Sequence, residues 1–301
     1  MTAAVLFGAG ASFACADVKP SRPPLGNELF LRICDSPPAS LLPARIKKTF
    51  LKHGFEAGMY RVHSEAYEYV TPLQCQIAVY LLQLTPQSST VYERFLRLLG
   101  PFARWIVWGT LNYDILLEQA AEAIFGSFDY GFSDTSLKPG IIKLHGSANF
   151  AVGGSEQLHN ITIHVSGGAS IAVGPLLPLH REEAIRRFTD PGESVGPVMS
   201  LYMPGKLDLA SRSAIEPHRV TWYDALPKAM AVLIVGAAYN PEDSHIWKPI
   251  LSSSARIGVV DPCAEAMVER IKADGHQNAY AVANAFDETA LPRMKTFLQA
   301  P

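Results

Sequence analysis

Asn112, Asp114 and His145 stand directly after apolar runs, Trp105 to Trp108 for the first two and Ile141 to Ile142 for the third. A neutral histidine can accept a hydroxyl proton near neutral pH. A primary amide can orient a water or a hydroxyl without carrying charge, and a carboxylate supplies negative potential. Two readings compete at the stretch Thr110-Leu111-Asn112-Tyr113-Asp114. Asn112 or Asp114 caps the backbone N–H groups of a following helix, or the turn is a ligand site at the carboxyl end of a parallel strand. A lone histidine such as His145 is more often structural than catalytic. Three further stretches have the same placement: Gly8-Ala9-Gly10-Ala11-Ser12, Gly236 after AVLIV, and Asp261 after ARIGVV.

These groups need a scaffold that brings strand ends together. Residues 3–8 form a continuous apolar run entering the Gly-rich turn, which predicts a buried parallel strand. Runs at 105–110, 141–145, 229–239 and 255–262 have the same character, and NAYAV near 280 is a candidate last strand. Helical spacing is expected over 41–55, 64–83, 90–99 and 114–125. Helices are also expected after Asp243, from Cys263, and over FDETALPRMKTFLQ, where Pro292 is expected to introduce a kink. ITIHV at 161–165 and ASIAV at 169–173 suit a hairpin around Gly167 and Gly168, and MSLYMP at 199–204 suits a further strand. Strands alternating with helices predict an α/β fold, a Rossmann-like doubly wound parallel sheet. In such a sheet the polar strand ends meet on one edge, where ligands bind.

The 301 residues are 48% hydrophobic and 18% charged, which suits a chain with a sizeable core. The net charge of -2 gives no electrostatic reason to expect direct nucleic-acid binding. The four cysteines, Cys15, Cys34, Cys75 and Cys263, contain no CxxC pair, so a zinc-ribbon site and a disulfide framework are both unexpected. The apolar start reads as a core strand rather than a signal peptide, and no apolar run is long enough for a membrane span. A cytoplasmic location is the expectation. GAGAS lacks the third glycine of a GxGxxG fingerprint, since residue 13 is Phe, and no GK[ST] follows. No acidic residue ends an obvious second strand about 20 residues on, which argues against an ordinary nucleotide-dependent oxidoreductase.

Taken together, GAGAS at 8–12, TLNYD at 110–114, KLHG at 143–146, LIVGAAYNPEDSHI at 233–246 and VVDP at 259–262 resemble the sirtuin (silent information regulator) family. The similarity is to its zinc-free bacterial branch, and it runs over nearly the whole chain, with little from 150–225. The resemblance implies one catalytic domain over 1–301. Its large Rossmann-like lobe would span about 1–35, 100–150 and 228–301, and its smaller lobe the insertions about 36–99 and 151–227. It implies NAD as substrate, with Gly8, Ala9, Gly10 and Ser12 at the pyrophosphate. Asn112 and Asp114 would line the nicotinamide and ribose end. His145 would be the catalytic base, and Gly236 and Asp261 would sit toward the phosphates and the adenosine ribose.

The deacylases of that family carry two zinc-binding CxxC pairs and a GIPDFR stretch. This chain has neither, reading FACADVKPSRPP from Phe13 to Pro24 instead. The resemblance therefore implies an NAD hydrolase that releases nicotinamide and ADP-ribose, an effector in bacterial antiviral (abortive infection) defence. The alternatives are an NAD or ADP-ribose binding module without turnover, and a zinc-free deacylase or ADP-ribosyl transferase. No appended sensor is evident, so control is expected from a homo-oligomer or a separate subunit. A helicase-like ATPase ring and a short Argonaute protein are the partner types the resemblance offers. Residues 150–225 are the candidate assembly surface or lid, or a plain insertion.

Overall fold

The computed structural model describes residues 2–131, 138–153, 162–166, 169–173, 175–201, 209–241 and 243–300. Its centre is a seven-stranded parallel sheet. In chain order the strands are β1 (Thr2–Phe7), β2 (Val18–Lys19), β3 (Thr85–Pro86), β4 (Ile106–Thr110), β5 (Asp129–Tyr130), β6 (Gly140–Lys143), β7 (Phe150–Val152), β8 (Thr162–Ser166), β9 (Ala169–Val173), β10 (Leu176–Pro178), β11 (Ala229–Val235), β12 (Arg256–Val260) and β13 (Ala279–Ala283). The central sheet runs β13-β12-β11-β1-β4-β6-β5, and all its pairings are parallel. The remaining pairs, β2 with β3, β7 with β10 and β8 with β9, are antiparallel. The last of them is the hairpin expected over 161–173.

The inner strands are apolar on both faces because helices cover both. On one face Ala3, Val5 and Phe7 of β1 pack into a core with α2 (Leu29–Ile33), α3 (Ala44–Glu65), α4 (Val70–Leu82), α5 (Val91–Leu99), α6 (Leu116–Phe125), α7 (Arg181–Thr189) and α11 (Leu291–Gln299). That core is continuous, so the helices of the first insertion share buried side chains with the sheet. On the other face Ala4 and Leu6 pack with α8 (Leu209–Ala225), α9 (Ser244–Leu251) and α10 (Ala264–Ala273). Gly109 in β4 makes room for Trp222 of α8: a Cβ there would lie 2.6 Å from its ring.

β4 lies on one side of β1 and β11 on the other, so strand order reverses at β1. The loop after β1 enters the short helix α1 (Ala9–Phe13), which packs on the first face through Ala11, while the loop after β11 leads to α9 on the second. Diverging crossovers open a crevice at the carboxyl ends of these strands.

Several expected elements take a different form. The helix α2 is entered through a 3-10 turn, Gly26–Glu28, that sequence spacing did not indicate. The helix α3 runs from Ala44 to Glu65 across a break at Gly54, whose φ is +87°. Pro292 does not kink the last helix; it occupies the first turn, where a missing N–H is no loss. Met199 forms only an isolated bridge to Gly146, so residues 199–201 are not a strand; 202–204 lie outside the described residues. Among the described residues no helix is long and apolar enough to cross a membrane.

Candidate functional site

The floor of the crevice is built from glycines in contact. Gly10 N donates to Gly236 O at 2.9 Å, and Gly8 N donates to Val235 O at 3.0 Å. A Cβ on Gly8 would fall 2.5 Å from Ala237 Cα, and one on Gly10 2.9 Å from Gly236 Cα. Gly236 has φ +59°, and its Cβ would lie 2.4 Å from Ala11 N. The glycines thus let two crossover loops meet backbone to backbone. Gly236→Ala should lower stability by about 2 kcal/mol or more, through left-handed strain and the steric conflict, read as a shifted denaturation midpoint with unchanged m-value.

Asn112 joins this floor. Its Nδ2 donates to Gly8 O at 2.9 Å and to Ser12 Oγ at 2.9 Å, with Tyr92 Oη at 3.5 Å. Ser12 Oγ in turn shares a hydrogen bond of 3.2 Å with Tyr92 Oη. Both Asn112 and Ser12 are buried. Gly8, Gly10, Ser12, Gly236 and Asn112 are therefore one assembly, with Ala9 at its rim.

Ala9, Asn112 and Asp114 line a cavity of about 210 Å³ between the strand ends and the helical insertion. Phe55 and Glu56 close it from the insertion side, and Asn27 from the segment that precedes α2. Among the described residues its lining holds two carboxylates, Asp114 and Glu56, and no cationic side chain. Asp114 also caps: its Oδ1 accepts from Leu116 N at 3.0 Å. Both readings of the Asn112–Asp114 turn are thus compatible, since Asp114 caps α6 and still lines the cavity.

His145 lies at the same level on the neighbouring strand. Thr110 pairs with Lys143 in register, which puts Asn112 and His145 each two residues beyond that pair. Leu144 N donates to Thr110 O at 3.0 Å. The His145 ring lies 5.5 Å from the ring of His245, at the start of α9. Burial pushes its pKa down to about 3, and the charges of His245 and Arg219 act in the same direction. His145 is not among the residues lining the cavity beside Asn112. The two sites are joined through Ser200, whose N–H donates to His145 O at 2.8 Å and whose carbonyl accepts from the Tyr113 hydroxyl. Residues 198–201 thereby cross the ends of β4 and β6, bringing part of the second insertion to the candidate site.

Asp261 ends β12 further along the same edge. Its Oδ1 accepts from Cys263 N at 2.9 Å, which shapes the turn into α10. It stands apart from the Asn112 assembly, two strands from β1 in the sheet order.

Sequence reasoning missed what holds the two polar strand ends together. Lys143 is fully buried. Its Nζ donates to Asp114 O at 2.6 Å and pairs with Glu118 Oε1 at 2.8 Å. Burial raises the Glu118 pKa, with Lys143 acting against that shift. The network continues to Tyr130 and Asn149, and Asn149 donates to Leu179 O. The only sequence signal was a lysine in an otherwise apolar strand.

Among the described residues no cluster of His, Cys, Asp and Glu has the grouping of a metal site. The chain matches no family model, and no curated protein is significantly similar to it.

Proposed function

We propose that the chain is a sirtuin-like NAD hydrolase, cleaving the bond between nicotinamide and ribose to give nicotinamide and ADP-ribose. The observation that carries this reading is the cavity beside Asn112, which among the described residues is lined by the carboxylates of Asp114 and Glu56 and by no cationic side chain. The nicotinamide ring of NAD is cationic and leaves as neutral nicotinamide, so its positive charge passes to the ribose as the bond breaks. Negative potential nearer the ribose than the ring favours the transition state over the ground state. The Gly-lined floor at the strand switch supports an extended dinucleotide running from this cavity along the sheet edge.

In this reading the pyrophosphate lies over Gly8, Ala9, Gly10 and Gly236, and Asp261 lies toward the adenosine ribose. Asn112 holds a ribose hydroxyl or the attacking water. His145 accepts a ribose hydroxyl proton as the glycosidic bond breaks and returns it once water has added; water supplies the oxygen that replaces nicotinamide, and its second proton is released to solvent. NAD is consumed as substrate and no zinc is required. The role is that of an effector in bacterial antiviral defence, held off until self-assembly or a regulatory subunit, such as an ATPase ring or a short Argonaute protein, switches it on.

The test is nicotinamide and ADP-ribose release from NAD by the purified chain, before and after concentration-driven assembly, with NAD affinity measured beside it. Asn112→Ala is expected to slow release roughly 10- to 100-fold while the fold is retained. NAD bound tightly but never cleaved, in any assembly state, would replace this reading with a binding module. Failure to bind NAD at all would end the assignment.

A further inference from the structure

Asn112 is an unusual candidate for a ligand-contacting residue because its amide is already committed on one side. Gly8 O has no hydrogen to give, so the atom of Asn112 facing it at 2.9 Å must be the amide nitrogen. Its second N–H goes to Ser12 Oγ, also at 2.9 Å. Both hydrogens are thereby directed into the protein. Among the described residues Asn112 Oδ1 has no hydrogen-bond partner, and Asn112 lines the cavity.

The group that keeps Ser12 in place comes from outside the sheet. Tyr92 lies in α5, 80 residues away in sequence, and its ring is buried against Phe7 and Phe286 at centroid distances of 5.0 and 5.5 Å. Its hydroxyl meets Ser12 Oγ at 3.2 Å and approaches Asn112 Nδ2 at 3.5 Å. A buried hydroxyl must be paired, so Tyr92 and Ser12 fix each other.

We propose that Tyr92 and Ser12 are positioning residues that lock the Asn112 amide with its carbonyl oxygen toward the cavity, so that Asn112 serves the ligand only as a hydrogen-bond acceptor. The group it meets is then a donor, a ribose hydroxyl or a water. Ser12 acts here through Asn112 rather than by direct contact with a phosphate. The consequence for the reaction rests on the NAD reading above; the orientation of the amide does not.

Two measurements separate these. The first compares wild type, Tyr92→Phe, Ser12→Ala and Asn112→Ala in NAD turnover, with Tyr92→Phe/Asn112→Ala completing a double-mutant cycle. Tyr92→Phe keeps the ring and removes the hydroxyl. It is expected to lower kcat about tenfold with KM within about twofold, and to have no further effect when Asn112 is already alanine. Full activity in Tyr92→Phe beside a damaged Asn112→Ala would overturn the proposal. The second measurement follows the Asn112 side-chain NH2 by NMR, assigned through its loss in Asn112→Ala. Slow hydrogen exchange in the wild type and clearly faster exchange in Tyr92→Phe, with NAD absent, supports the lock. Exchange that is fast in the wild type, or unaltered by Tyr92→Phe, overturns it whatever the activity does. A chain that neither binds nor cleaves NAD defeats the functional reading alone, and the NMR arm still decides the positioning.

Discussion

Replacing Lys143 by methionine will destabilise the protein by about 3–5 kcal/mol at neutral pH, the range for removing one partner of a buried ion pair. The side chains of Lys143 and Glu118 are 0% and 4% exposed, so neither charge has water to fall back on. Methionine fills much of the lysine volume and keeps the apolar stem contacts, so the loss is electrostatic rather than a cavity. What remains is a buried carboxylate whose second oxygen, Oε2, already has no partner among the described residues. Burial raises the Glu118 pKa and Lys143 opposes the rise, so removing Lys143 raises it further. The sign then follows from linkage. A carboxyl with a folded pKa above its unfolded value takes up protons on folding, so the variant loses stability as pH climbs from the unfolded carboxyl range through the folded pKa. Chemical denaturation of Lys143→Met at pH 5 and pH 8 should show the larger deficit at pH 8. Adding Glu118→Gln should recover most of it, because a neutral amide replaces the stranded charge. An equal deficit at both pH values, or no recovery, would refute this account of the pair.

The same lysine bears on the site. Its bond to Asp114 O ties the turn carrying Asn112 and Asp114 to the strand that leads into His145. Neither polar strand end is held by its own strand alone. A buried charge pair contributes little net stability compared with an apolar replacement, and fixing one geometry is its best-attested use. In this protein the geometry fixed is the spacing between two candidate site loops.

Much of the framework was legible because its signals are local. Runs such as Ala3 to Phe7 and Ala231 to Val235 are apolar on both faces and end at glycine, as buried parallel strands must. They gave β1, β4, β6, β11, β12 and β13 within a few residues and put Gly8, Asn112, His145, Gly236 and Asp261 at strand ends. The edge strand β5 was not visible, because two residues, Asp129 and Tyr130, carry no periodicity. The helix α7 was hidden by its charge, since REEAIRRFT buries only Ala184 and Phe188. In α8 the interior Pro217 argues against a helix. The partners of the site residues were illegible for a different reason. Tyr92 meets Ser12 across 80 residues, and Lys143 Nζ meets Asp114 O across 29. No pattern of neighbouring residues encodes such a pairing; it follows only once α5 and β6 are laid against the sheet.

Replacing His145 by alanine is expected to lower NAD cleavage by about 10²–10⁴-fold, the usual contribution of a positioned general base, with NAD affinity changed far less. The pH profile discriminates more sharply than the size of the loss. Without ligand His145 titrates at about 3, because burial disfavours the cation and His245 and Arg219 add positive charge. The neutral, proton-accepting form therefore persists through the ordinary range, and the acid limb of kcat/KM should lie well below 6.5. A base that weak would be a poor match for neutral pH. On the proposed reading the substrate corrects it: a pyrophosphate over Gly8 to Gly10 would bring negative charge to the strand ends, which would favour the imidazolium and raise the pKa. The acid limb of kcat, which reports the bound state, should accordingly sit at higher pH than that of kcat/KM. Stability follows the ligand-free shift. A histidine with a folded pKa below its unfolded value binds fewer protons when folded, so the protein weakens as pH falls from about 6.5 toward 3. His218, pushed down to about 4 by burial with Lys143 adding to the effect, contributes in the same direction. Thermal unfolding at pH 7 and pH 5 should show a drop in midpoint on acidification that is smaller in His145→Ala. Coincident acid limbs for kcat and kcat/KM, both near 6.5, would mean that the group titrating in the reaction is not this half-buried histidine.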